Sequence, residues 1–141
     1  MEKEFSFNET INYPLKTVWN ALQIPDEIVM DKNAVYDKKS NLEWIEHTSE
    51  SIDNVYRVKK IDNNEIYIEV ENSKYKTEKN SIKLNIIANT NITTLKVNYM
   101  IATKALFNII SLKLLGKNIA HHISNVIVKN LNKKCESIKE D

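Results

Sequence analysis

The chain has 141 residues, 20 basic and 19 acidic side chains, and a formal net charge of +1; hydrophobic residues make up 42% and charged residues 28%. The length suits one domain over residues 1–141 with room for a proper core, and the balanced charge excludes a global field drawing the protein to nucleic acid or an anionic membrane. A single cysteine, Cys135, excludes an intrachain disulfide and a cysteine-based zinc site, and no apolar run reaches the roughly 20 residues of an integral membrane segment.

The N-terminus, Met1-Glu2-Lys3-Glu4, carries no apolar signal core behind it, so a cytoplasmic location is expected. Strand-like alternation follows at once. Phe5, Phe7 and Ile11 share one face against Ser6, Asn8, Thr10 and Asn12, with Glu9 interrupting the apolar face. Pro14 then opens a short helix with Leu15, Val18, Trp19 and Leu22 on one stripe. Pro25 ends it and starts another short helix, Asp26 to Met30. Asp31 to Asn41 is polar and mixed and reads as a loop.

Leu42 to His47 predicts a strand with Trp44 and Ile45 on opposite faces. Val55 to Ile61 and Glu65 to Glu71 predict a hairpin closed by Asp62-Asn63-Asn64. Ile66, Ile68 and Val70 share a face there. Tyr75 to Lys79 reads as a strand or a long turn. Ser81 to Ala88 alternates Ile82, Leu84 and Ile86 against Lys83 and Asn85. After an Asn89-Thr90-Asn91 turn, Thr93 to Thr103 alternates Leu95, Val97, Tyr99 and Ile101 against Lys96, Asn98 and Met100. Gly116 is the only glycine, so turns must use Asn and Asp, which tolerate the left-handed region.

One long helix is predicted from about Lys104 to Ile138, with Ile119, Ile123, Val126, Ile127 and Leu131 as its inward stripe. Its first part, Ala105 to Leu115, is apolar nearly all round, and Phe107, Ile110 and Leu114 point away from that stripe. The polar loop Asp31 to Asn41, a second copy of the chain, or a role as a lid over a cavity mouth are the three ways to account for it. The element order predicts an α+β fold: a curved antiparallel sheet of about six or seven strands around a long C-terminal helix, with two short helices after the first strand. Such a sheet leaves a cavity between its concave face and the helix.

Chemistry-bearing residues are sparse. Arg57, alone in a lysine-rich chain, is either a fork for a carboxylate or phosphate or a solvated strand residue. Adjacent His121 and His122 point about 100° apart on a helix and do not address one metal together. Glu9 is a candidate general base or ligand anchor, or else a strand-end or ion-paired carboxylate. Tyr99, in phase with Leu95, Val97 and Ile101, is the aromatic best placed to face a cavity. Gly116 on the inward stripe either leaves room for a ligand or permits close helix–sheet contact. No catalytic constellation, metal site or cofactor motif stands out.

At this point the chain resembles the START-like, or SRPBCC, superfamily, which includes the birch pollen allergen, polyketide cyclases and lipid-transfer domains. The resemblance is carried by the opening strand followed by Pro14-Leu15-Lys16-Thr17-Val18-Trp19-Asn20-Ala21-Leu22, and by the closing run Ile123 to Glu136. It implies a helix-grip fold with a hydrophobic cavity, and no particular reaction. Glu9, Ile68, Leu84, Ile86, Val97, Tyr99, Gly116, Ile123 and Ile127 are the expected ligand-binding residues. The expected partner is a small hydrophobic or amphipathic molecule, with a homodimer as a further partner. A polyketide cyclase or dehydratase-type enzyme, using Glu9 or a histidine as acid–base, and a protein-interaction module remain as alternatives.

Overall fold

In the computed structural model, residues 2–48, 52–73, 79–103 and 106–140 are described. Ten elements follow one another: β1 (Glu2–Ile11), α1 (Leu15–Ala21), α2 (Pro25–Val29), β2 (Val35–Ser40), β3 (Glu43–His47), β4 (Asp53–Asp62), β5 (Glu65–Asn72), β6 (Lys79–Asn89), β7 (Ile92–Ala102) and α3 (Leu106–Glu140). The strands form one curved seven-stranded antiparallel sheet in the order β1-β7-β6-β5-β4-β3-β2. The chain thus leaves β1 for the far edge through α1 and α2, then returns strand by strand until β7 pairs with β1.

Alternation decides which face each strand buries. Ile66, Ile68 and Val70 on β5, Ile82, Leu84 and Ile86 on β6, and Leu95, Val97 and Tyr99 on β7 all belong to one core. That core also takes Val18, Ala21 and Leu22 from the α1 region, Ile28 and Val29 from α2, and Ala120, Ile127, Leu131 and Cys135 from α3. Trp44 is fully buried and stacks on Tyr56 of the next strand, with ring centroids 5.4 Å apart.

Turn chemistry follows the shortage of glycine. Asn63 and Asn64 both take left-handed backbone, φ 49 and 62, between the paired residues Asp62 and Glu65. Two left-handed central residues are the mark of a type I′ hairpin turn. The β6–β7 turn differs from expectation. Its left-handed residue is Thr90, φ 50, and neither flanking asparagine. A β-branched residue there is strained by roughly 1 kcal/mol or more, and the ladder that continues on both sides of it holds it in place.

Two expectations are corrected. Asp31 to Asn41 is no loop throughout: Val35–Ser40 is the edge strand β2. Its faces are polar, so alternation does not reveal it; partners do. Lys38 reaches the buried carboxylate of Asp26 at 3.2 Å, and the Tyr36 hydroxyl donates to the same side chain at 3.2 Å. Burial, then the Asp26 charge, raises the Tyr36 phenol above its usual pKa. Second, the inward stripe of α3 departs from expectation at Ile119, while Ile127 and Leu131 are buried as expected. Gly116, Ala120 and Ser124 are buried, whereas Ile119 is 45% exposed. Small side chains let the helix approach β1 closely, which an isoleucine stripe would prevent. Cys135 is fully buried core. Of the three accounts of the apolar start of α3, cover by Asp31 to Asn41 is not what is seen: Tyr36 sits beside Lys133 and Ser137 near the other end of the helix. At the start of α3, Ile110 and Leu114 are 50% and 75% exposed. The side chain of Phe107 and most of Tyr75 to Lys79 lie outside the described residues.

His47 ties β2 to β4. Its Nε2 lies 2.7 Å from Asp37 Oδ2 and its Nδ1 2.9 Å from Asp53 Oδ1. The hydrogen bond to Asp37, then that to Asp53, raises its pKa above 6.5. A raised folded-state pKa means that the contribution is complete below the unfolded value and fades as pH climbs through the folded one. Melting temperature should therefore fall between about pH 6.5 and mildly alkaline pH, and His47→Gln should flatten that slope. An identical slope in the variant, read by thermal denaturation, would show that this bridge does not couple pH to stability.

Candidate functional site

The sheet is wider than the helix that covers it. α3 packs against α1, α2, β1 and β7. Between α3 and the remaining strands lies a cavity of about 250 Å³. It is walled by Val29 and Met30 at the end of α2, Val70 and Ile82 on the sheet, and Ile123 and Val126 on α3. Asp31, Glu46, Asn54, Tyr56, Asn80, Tyr99 and His122 complete the lining. The volume lies just below the roughly 300–1,000 Å³ of drug-sized clefts.

The position of α2 is set by α3. Asn130 donates its side-chain amide to the carbonyls of Ile28 at 3.0 Å and Met30 at 2.7 Å, satisfying the orphan carbonyls at the helix end. Lys134 pairs with Glu27 at 2.8 Å. Met30 and Asp31 are thereby held over the cavity.

The floor carries a polar ladder. Glu46, Asn54 and Asn72 stand opposite one another across β3, β4 and β5. Asn72 Nδ2 donates to Asn54 Oδ1 at 3.0 Å, and Asn54 Nδ2 donates to Glu46 Oε1 at 3.0 Å. The Tyr56 hydroxyl donates to the same Oε1 at 3.1 Å. On the next rung, Asn80 stands opposite Val70, and its buried Oδ1 has no hydrogen-bond partner. Burial, then the charge of Glu46, pushes the Tyr99 phenol up to about 12. Burial, again with Glu46 next, lifts Tyr56 well above the ordinary value. Both phenols are thus neutral near pH 7 and able to donate.

The expected residues divide. Tyr99 and Ile123 line the cavity. Ile68, Leu84, Ile86, Val97 and Ile127 lie in the packed core, outside its lining. Gly116 is buried in the small-residue stripe of α3, also outside the lining. Glu9 faces α3, where Ser124 Oγ donates to its Oε1 at 3.5 Å. The structure therefore does not bring Glu9 and Tyr99 to one cavity, as an acid–base pairing of the two requires. His122 lines the cavity, whereas His121 packs against the Phe7 ring at 5.5 Å between centroids. Arg57 bonds Glu43 at 3.0 Å and Glu71 at 2.8 Å on the convex face, which corrects its reading as a fork toward a bound anion. Among the described residues, no group of three or more His, Cys, Asp or Glu is placed to hold a metal.

Sequence reasoning missed Glu46, Asn54, Asn72 and Asn80. A signal existed: each sits two residues from an inward apolar side chain, namely Trp44, Tyr56, Val70 and Ile82. Their convergence needed the strand register, which alternation alone does not supply.

No protein-family model and no curated protein matches the sequence. Solved structures do match in fold. A conserved protein from Geobacillus kaustophilus aligns at TM-score 0.71 with 12% identity, over 97% of this chain and 96% of that one. A START superfamily protein from Mycobacterium smegmatis aligns at 0.68 with 14% identity, over 96% and 98%. The Zhui aromatase/cyclase from a Streptomyces species aligns at 0.67 with 11% identity, over 96% and 94%. The chain has the helix-grip fold of START-like proteins.

The buried phenols give a test. In an alkaline spectrophotometric titration, Tyr36, Tyr56 and Tyr99 should ionise later than exposed tyrosines, with Tyr99 near 12. Stability should be full below about pH 10 and fall as these raised values are passed. Tyr99→Phe should remove one late-ionising component; a titration curve that loses an ordinary component instead would place Tyr99 in contact with solvent.

Proposed function

We propose that this protein binds a small amphipathic molecule in the cavity between the sheet and α3, with its apolar part against Val29, Met30, Ile82, Ile123 and Val126. The observation that carries this reading is the cavity itself, with apolar walls and a polar floor built from Glu46, Asn54 and Tyr56. The space is partly open to solvent, and a ligand seated in it would remove the apolar walls from water. The matched structures include a START superfamily protein and an aromatase/cyclase, so the fold alone does not decide between binding and catalysis. Binding is favoured over catalysis here, because Glu9 and Tyr99 lie apart. The chain would act as a single domain, in the cytoplasm, with no catalytic group assigned.

A neutral apolar dye such as phenylnaphthylamine should brighten on binding the purified protein. Ile123→Trp should fill the space and weaken the dye at least tenfold while leaving the circular-dichroism spectrum unchanged. Dye that ignores both the protein and the substitution would refute a binding cavity.

A second reading rests on Ile110 and Leu114, which expose large apolar side chains on α3. Contact with a second copy of the chain would cover them. Ile110→Lys should then shift sizing chromatography toward a smaller species, and an unchanged elution volume rules that contact out.

A further inference from the structure

The cavity is chemically one-sided. The chain has 20 lysines and arginines, yet none lines this space, whereas Asp31 and Glu46 both do. On the convex face several carboxylates are matched: Glu43 and Glu71 hold Arg57, and Glu65 holds Lys60 and Lys83. Glu46 has no such counter-ion among the described residues. Its two donors, Asn54 and Tyr56, are neutral, and both fall on Oε1. Among the described residues, no hydrogen bond reaches Oε2.

The charged Oε2 of Glu46 is thus an acceptor without a protein donor, beside a space that no lysine or arginine enters. A cation that brings its own N–H donors to such a carboxylate makes the stronger, charge-assisted kind of hydrogen bond. Resting on the binding reading above, we propose that the ligand carries a protonated amine, whose N–H groups bond Glu46 Oε2 while its apolar body lies against Ile82 and Ile123. An ammonium offers three donors and a full charge. A carboxylate or phosphate head would instead meet the two acidic groups Asp31 and Glu46, and would be repelled.

The test compares three probes with the same six-carbon chain on the full-length protein at neutral pH: hexylamine, hexanol and hexanoate. A primary amine is fully protonated there, since such groups titrate near 10.4. Calorimetry should show hexylamine binding about tenfold or more tightly than hexanol, as expected for hydrogen bonds to a charged partner, and hexanoate binding weakest. Glu46→Gln should erase the advantage of the amine and leave hexanol within about twofold. Asn54→Asp, which adds a carboxylate beside Glu46 in the cavity lining, should strengthen the amine further, and gives an independent reading should Glu46→Gln fail to fold. Equal affinity for amine and alcohol, or an amine preference that survives Glu46→Gln, overturns the amine assignment while leaving the binding reading intact. No binding by amine or alcohol overturns both.

Discussion

One helix covering seven curved strands is the constraint on which the rest of this structure depends. A helix is about 10 Å across, and strands lie about 4.8 Å apart, so α3 shields only part of the concave face. It sits over β1 and β7, the side where Gly116, Ala120 and Ser124 allow close approach. The surface offered by β3 to β6 has to be closed by something else. The end of α2 does this in part, pinned by Asn130 and Lys134 of α3. What neither helix reaches remains as the cavity.

Period-two geometry then sorts the charges. Glu43 and Glu46 are three residues apart on β3, so they face opposite sides of the sheet. Glu43 meets Arg57 and water; Glu46 meets Asn54, Tyr56 and the cavity. The convex face collects ion pairs, each worth little because solvent screens them. The concave face holds fewer charged groups in a less polar setting, where each unpaired acceptor matters more. The same strand alternation that builds the core therefore also creates the polarity of the site.

Local chemistry made much of the fold legible. The alternation in β1, β5, β6 and β7, Pro14 and Pro25 at the starts of the short helices, and the apolar period of the last segment all state their structure in single stretches of chain. The errors share a cause. β2 carries no buried apolar face and exists because Asp26, Asp37, His47 and Lys38 meet across the fold. Ile119 is more hydrophobic than Ala120, yet Ala120 faces inward, because closeness of approach and not hydrophobicity chose the stripe.

The candidate site divides along the same line. Tyr99 and Ile123 could be reached from phase alone, since an inward residue on a strand or helix is a local property. Ile68, Leu84 and Val97 share that phase, yet they are core and not lining, because distance along the strand from the helix ends decides which inward residues meet empty space. Alternation in the sequence determined which side chains turn inward and that one long helix must cover them. Register, the tilt of α3 and the capping of α2 by Asn130 decided where the covering stops. Those depend on contacts between residues about 100 positions apart, and no local pattern encodes such distances.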